Sequence, residues 1–115
     1  MRAPPDTPPA SFTLATLESQ QREGGRPYLE FLRRASMSAG LYVLEAGATD
    51  TQRPHAEDEA YYALSGRARL TVGETEEAVT PGSFVYVPKH LPHRFHSIEE
   101  RLVLLVLFAP AESAG

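Results

Sequence analysis

The chain has 115 residues, ten prolines, no cysteine and a net charge of −4. That length suits one domain, able to bury roughly two-thirds of its unfolded surface. The missing cysteines exclude disulfides and thiolate metal sites, the interspersed charges argue against nucleic acid as a partner, and no apolar run reaches membrane-spanning length.

Residues 1 to 11, rich in proline, read as a flexible tail. They contain no apolar core of the signal-peptide kind, so a cytoplasmic protein is expected. Ser11 to Glu23 is mildly helical: Leu14 and Leu17 are three apart, and Gly24-Gly25 ends the pattern. Residues 1–25 are thus a tail with a short helix or loop. Residues 26–110 read as short strands divided by turns. Tyr28 to Leu32 is one strand, and Leu41 to Leu44, closed by Gly47, is a second. Arg67 to Val72 alternates, with Ala68, Leu70 and Val72 on one face. Gly73-Glu74 is a hairpin turn into Glu77-Ala78-Val79, and Pro81-Gly82 leads to Phe84-Val85-Tyr86-Val87. Residues 111–115 form a C-terminal tail. Many short strands with regular turn signals indicate an all-β sandwich or barrel.

Leu102 to Phe108 is apolar on both faces. One face joins the core. The other needs cover from the N-terminal segment or a second subunit, because an exposed flat apolar strand aggregates. A homodimer is expected, since symmetric self-association is common.

Two clusters carry metal-capable side chains. Pro54 to Gly66 admits two readings. As a helix, Pro54 would start it, Gly66 would cap it, and His55 and Glu59 would share a face. As a strand it needs a turn at Ala56-Glu57-Asp58, because four extended residues span about 13 Å, too far for two ligands of one ion. On that reading Arg53 shares a face with His55 and points to the same site. The second cluster is Gly82 to Pro88, then His90 and His93. Phe95 shares the His93 face as pocket wall, and Tyr61 shares the Glu59 parity; His96 faces away. Glu57, Asp58 and Lys89 read as solvated residues.

Glu59, six residues, then Gly66, with His55 three residues before Glu59, resembles the first cupin motif: Gly, five residues, His-x-His, three or four residues, Glu, six residues, Gly. Gly47 to Arg53 fits its opening. Gly82, five residues, Pro88, then His93 resembles the second: Gly, five residues, Pro-x-Gly, two residues, His, three residues, Asn. The chain departs from the motifs at three positions. Arg53 stands for the first His, His90 for the second motif's Gly, and Ser97 for its Asn.

The resemblance implies a double-stranded β-helix, the cupin jelly-roll barrel, over residues 26–110. It also implies a divalent metal (iron, zinc, manganese or nickel) at His55, Glu59 and His93. Strand parity sets Arg53, Tyr61 and Phe95 around that pocket, and His90 reads as a turn residue or as lining the pocket mouth. Two imidazoles and a carboxylate with open positions match a catalytic site. Arg53 is the obstacle, since a guanidinium about 5 Å from a dication costs roughly 6 kcal/mol at an effective dielectric near 20. Either it swings outward, or the pocket is a degenerate, metal-free one in which Arg53 pairs with Glu59 or clasps a carboxylate. The expected function is a metal-dependent enzyme on a small molecule, of dioxygenase or isomerase type. The alternative is a non-catalytic module that binds or senses a small anion or carboxylate.

Overall fold

The computed structural model describes residues 8–113; the expectations for residues 1–7 and 114–115 lie outside the described residues. Among the described residues one helix precedes six strands: α1 (Leu14–Gly24), β1 (Tyr28–Arg34), β2 (Met37–Leu44), β3 (Asp58–Val72), β4 (Thr75–Val79), β5 (Phe84–Val87) and β6 (His93–Ala109). All pairings are antiparallel, in the order β1-β2-β6-β3-β4, with β5 on β3. The all-β barrel expected from the sequence is present, and Pro54 to Gly66 runs into strand, not helix. Among the described residues no helix is long and apolar enough to cross a membrane.

The sequence reading splits β3 and β6 each into two strands, but each is continuous. Gly66 (φ 97°) and Ser97 (φ 52°) lie where strands would otherwise end. Left-handed residues there create bulges that bend the strand without stopping it; a Cβ at Gly66 would collide with the Arg101 carbonyl oxygen. The bulges also reverse parity. Glu59, Tyr61 and Ala63 are buried before Gly66, and Ala68 and Leu70 after it. On β6 the buried set on the barrel side runs His93, Phe95, then Ile98, Leu102, Leu104, Val106 and Phe108, with Val103 buried on the opposite side. A strictly alternating strand would have turned one of the two sets outward.

The bend builds the site. In register, Glu59 pairs with Phe108 at one end of the β3–β6 ribbon, and Val72 pairs with His93 at the other. A straight strand from Glu59 to Val72 would span about 43 Å. Yet His93 Nε2 lies 3.0 Å from Glu59 Oε1, so the ribbon curls until its ends meet.

Helix α1 is capped by Thr13, whose side chain accepts from the Thr16 N–H, and by Gly25 in the left-handed region. Leu17 is buried against Leu41, Val43 and Val103. The helix therefore covers the outer flank of β6, the role that the sequence divided between the N-terminal segment and a second subunit. The stretch after β6 is pinned as well: Glu112 N–H donates to Ser38 Oγ (2.9 Å), the Arg33 guanidinium donates to the Glu112 carbonyl (2.5 Å), and Ser113 N–H donates to Glu57 Oε2 (3.2 Å).

Candidate metal centre

The connection from Glu45 to Glu57 contains no strand, and it is anchored from within. Asp50 is 3% exposed. Its Oδ1 accepts from Tyr42 O–H (2.6 Å) and Gln52 N–H (3.2 Å). Its Oδ2 accepts from Gln52 Nε2 (2.6 Å) and Phe95 N–H (2.9 Å). Four donors on one buried carboxylate offset its desolvation and tie the loop to β2 and β6.

Beside that anchor, His55, Glu59 and His93 offer ligand atoms that all lie within 4.8 Å of one another. Nε2 of His93 is 3.0 Å and Nε2 of His55 3.8 Å from Glu59 Oε1. Outer partners orient both imidazoles. His93 Nδ1 meets the Leu91 carbonyl at 2.9 Å, and His55 Nδ1 meets Glu112 Oε2 at 3.2 Å. A carbonyl and a carboxylate only accept, so each Nδ1 is assigned the proton and each neutral ring turns an Nε2 lone pair inward. Inner nitrogen pairs fixed by outer-shell acceptors are the usual arrangement of metal-binding histidines.

Glu59 Oε1 is buried with no hydrogen-bond partner. His93 Nε2 is near enough to it, but no N–H aligns with the oxygen. An orphaned carboxylate oxygen among imidazole lone pairs is costly in a protein interior, and a divalent cation removes that cost. The residues therefore fit a metal.

The same charges act on the imidazole protons. The hydrogen bond to Glu112 leads the influences that hold the His55 pKa above its ordinary 6.5, against desolvation. For His93, burial pulls downward, but Glu59 and the Leu91 carbonyl outweigh it and the net shift is upward. Burial, then Glu59, push the Tyr61 phenol well above its ordinary value, so it stays a neutral donor.

A cavity of about 440 Å³ opens onto this cluster. Tyr28, Tyr42, Gln52, His55, Glu59 and Tyr61 line it, with Val106 and Phe108 as apolar wall and Arg26 and Glu112 as charged members.

The structure thus brings His55, Glu59 and His93 together and places Tyr61 in the wall. Four other expectations are corrected. Arg53 is exposed, as in the outward-swung alternative, and lines a neighbouring depression that shares Gln52, His55 and Glu112 with the cavity; the parity argument that aimed it inward assumed a strand where the backbone is irregular. Arg53 is not among the residues that line the cavity itself. Phe95 is 1% exposed and packs edge-on against Tyr61 at 4.8 Å, behind the wall and not in it. His90 is exposed, in a left-handed turn (φ 67°). His96 does face away, bonding to Glu76 (2.7 Å) and Thr71 (3.0 Å). Glu57, expected in solvent, is buried by the chain end that its carboxylate accepts.

Gln52, Asp50 and Glu112 are the residues the sequence reading missed. A signal existed for Gln52. With four residues instead of three before Glu59, the first motif's two His positions fall on Gln52 and Pro54. Glu112 left no local signal, because its role depends on how the chain end folds back.

Comparison with known proteins agrees with this fold. The family model described as Cupin domain matches residues 40–108. An uncharacterised protein of Streptomyces coelicolor is 50% identical over 103 residues, covering 90% of this chain and 98% of the relative. Among solved structures, a Thermus thermophilus protein superposes with a TM-score of 0.65 at 29% identity, covering 73% of this chain and 82% of that one. An RmlC-like cupin from Shewanella frigidimarina also gives a TM-score of 0.65, at 20% identity, covering 73% and 75%.

Proposed function

The chain belongs to the cupin family, and from that premise we propose that its barrel binds a divalent metal through His55, Glu59 and His93 and acts on a small molecule held in the adjoining cavity. The observation that carries the reading is the buried, partnerless Glu59 Oε1 facing two imidazoles whose outer nitrogens are already engaged. Iron, zinc, manganese and nickel all suit two imidazoles and a carboxylate. Such an ion, when bound, supplies Lewis acidity and open coordination positions, as dioxygenase or isomerase chemistry requires.

The chain's own residues define what the ligand must be. A cavity of about 440 Å³ suits a small molecule. Arg26 offers a planar pair of donors to a ligand carboxylate. Val106, Phe108 and the tyrosine rings exclude water from its apolar part. Glu112 on His55 Nδ1 holds that ring's proton on the outer nitrogen and fixes its orientation, leaving the inner nitrogen as the one available to a metal. The reading includes a homodimer, supported by the exposed rings of Tyr62, Phe84 and Tyr86 on paired strands; light scattering of the purified chain measures it.

A thermal-shift screen tests the functional reading. Protein loaded with each of the four metals is presented with small carboxylates, phenols and sugars. A ligand that stabilises the loaded protein more than the metal-free form supports the proposal. Uniform failure, or equal shifts with and without metal, contradicts it.

A further inference from the structure

Gln52 lies closer to the cluster than its irregular loop suggests. Its Oε1 is 3.2 Å from His55 Nε2, 3.2 Å from His93 Nε2 and 2.9 Å from the Tyr61 hydroxyl, which donates to it. The amide's orientation is not free. Its Nε2 donates to Asp50 Oδ2 at 2.6 Å. A flipped amide would set its oxygen against that buried carboxylate and would offer an N–H where Tyr61 needs an acceptor. Asp50, itself held by Tyr42 O–H and Phe95 N–H, therefore commits Gln52 to present oxygen to the imidazoles.

With both rings neutral, that arrangement is unfavourable without a cation. The Tyr61 hydroxyl takes one lone pair of Oε1, and the other meets two imidazole nitrogens whose protons sit on the far side of their rings. Ligands at about 2.1 Å from one ion are about 3.0 to 3.4 Å from each other for octahedral to tetrahedral angles. Both Gln52–imidazole spacings fall within that interval, as does the His93–Glu59 distance of 3.0 Å.

We propose that Gln52, oriented by Asp50, is the fourth protein ligand of the metal, giving a set of two nitrogens and two oxygens. Asp50 acts as a positioning residue. The inference rests on the metal reading above and adds to it a residue type outside the His/Glu ligand set expected from the motif. An amide oxygen in place of an imidazole hardens the donor set, favouring manganese or iron(II) over softer ions.

The test uses the full chain and cobalt(II) alone as the probe, reading affinity by titration and coordination by visible absorption at saturating metal. Gln52→Met keeps the side chain's length but removes the oxygen donor. It is expected to weaken cobalt binding about tenfold or more and to change the absorption spectrum. Gln52→Glu restores an oxygen donor and is expected to bind at least as well as the unaltered chain. Two results overturn the assignment while leaving the His/Glu site standing: a Gln52→Met protein with unchanged affinity and spectrum, or a Gln52→Glu protein as impaired as Gln52→Met, which marks a packing role. If the unaltered chain binds no cobalt, the metal reading falls and this inference falls with it.

Discussion

The carboxylate of Glu112 stands 3.2 Å from Nδ1 of His55, joining the segment after the last strand to the centre of the site. A carboxylate behind a ligating histidine fixes the ring and raises its basicity, and its loss costs 10–100-fold in metal affinity in comparable sites. The side chain of Glu112 is 25% exposed, so the lower end applies here. Glu112→Gln should weaken metal binding by roughly tenfold or somewhat less, with the fold unchanged, as measured by titration with a chromophoric competitor.

The raised pKa values of His55 and His93 give metal-free and metal-loaded protein opposite responses to pH. In the metal-free chain, protonated imidazoles gain partners on folding. The resulting stability is full below the unfolded value of 6.5 and is lost as pH rises through the folded values above it. In the loaded protein, protons compete with metal for Nε2, so affinity falls as pH drops through the same window. Melting temperatures between pH 5 and 9, with and without metal, should diverge as pH rises. Parallel curves would contradict the shared use of these nitrogens.

His90 and Ser97 occupy the two second-motif positions where the family has Gly and Asn, and both have positive φ (67° and 52°). A left-handed conformation costs a side-chain-bearing residue about 1–2 kcal/mol, whereas glycine's extra unfolded-state freedom costs about 0.5–1 kcal/mol. His90 is exposed and loses no packing. His90→Gly should therefore stabilise the chain by about 0.5–1 kcal/mol in urea unfolding, with metal affinity unchanged.

Leu17 is 5% exposed, and it fastens α1 over Leu41, Val43 and Val103. Leu17→Ala should cost about 2–3 kcal/mol and uncover the flank of β6. Urea unfolding gives the first quantity, and increased self-association by light scattering reports the second.

The fold was legible because motif glycines and turn residues mark where the chain must reverse, and apolar alternation marks the strands between. His55, Glu59 and His93 were legible because the motif spacings name them, although the ribbon that joins Glu59 to His93 has to curl before they meet. The extent of β3 and β6 was not, since the sequence reading began separate strands at Arg67 and Leu102, whereas Gly66 and Ser97 act as bulges within continuous ones. Arg53 was misplaced by applying strand parity to the irregular loop fixed by Asp50. Parity holds only where a ladder enforces the pleat. Phe95 has the expected parity, but depth behind Tyr61 is a property of packing that no one-dimensional pattern carries.

The most direct measurement is elemental analysis of the purified chain beside a His93→Ala variant, both confirmed folded by circular dichroism. The account predicts close to one divalent ion per unaltered chain after exposure to metal and desalting, and a small fraction of that in the variant, which lacks one of two imidazoles. Equal metal content in the two proteins, or none in either, would contradict it.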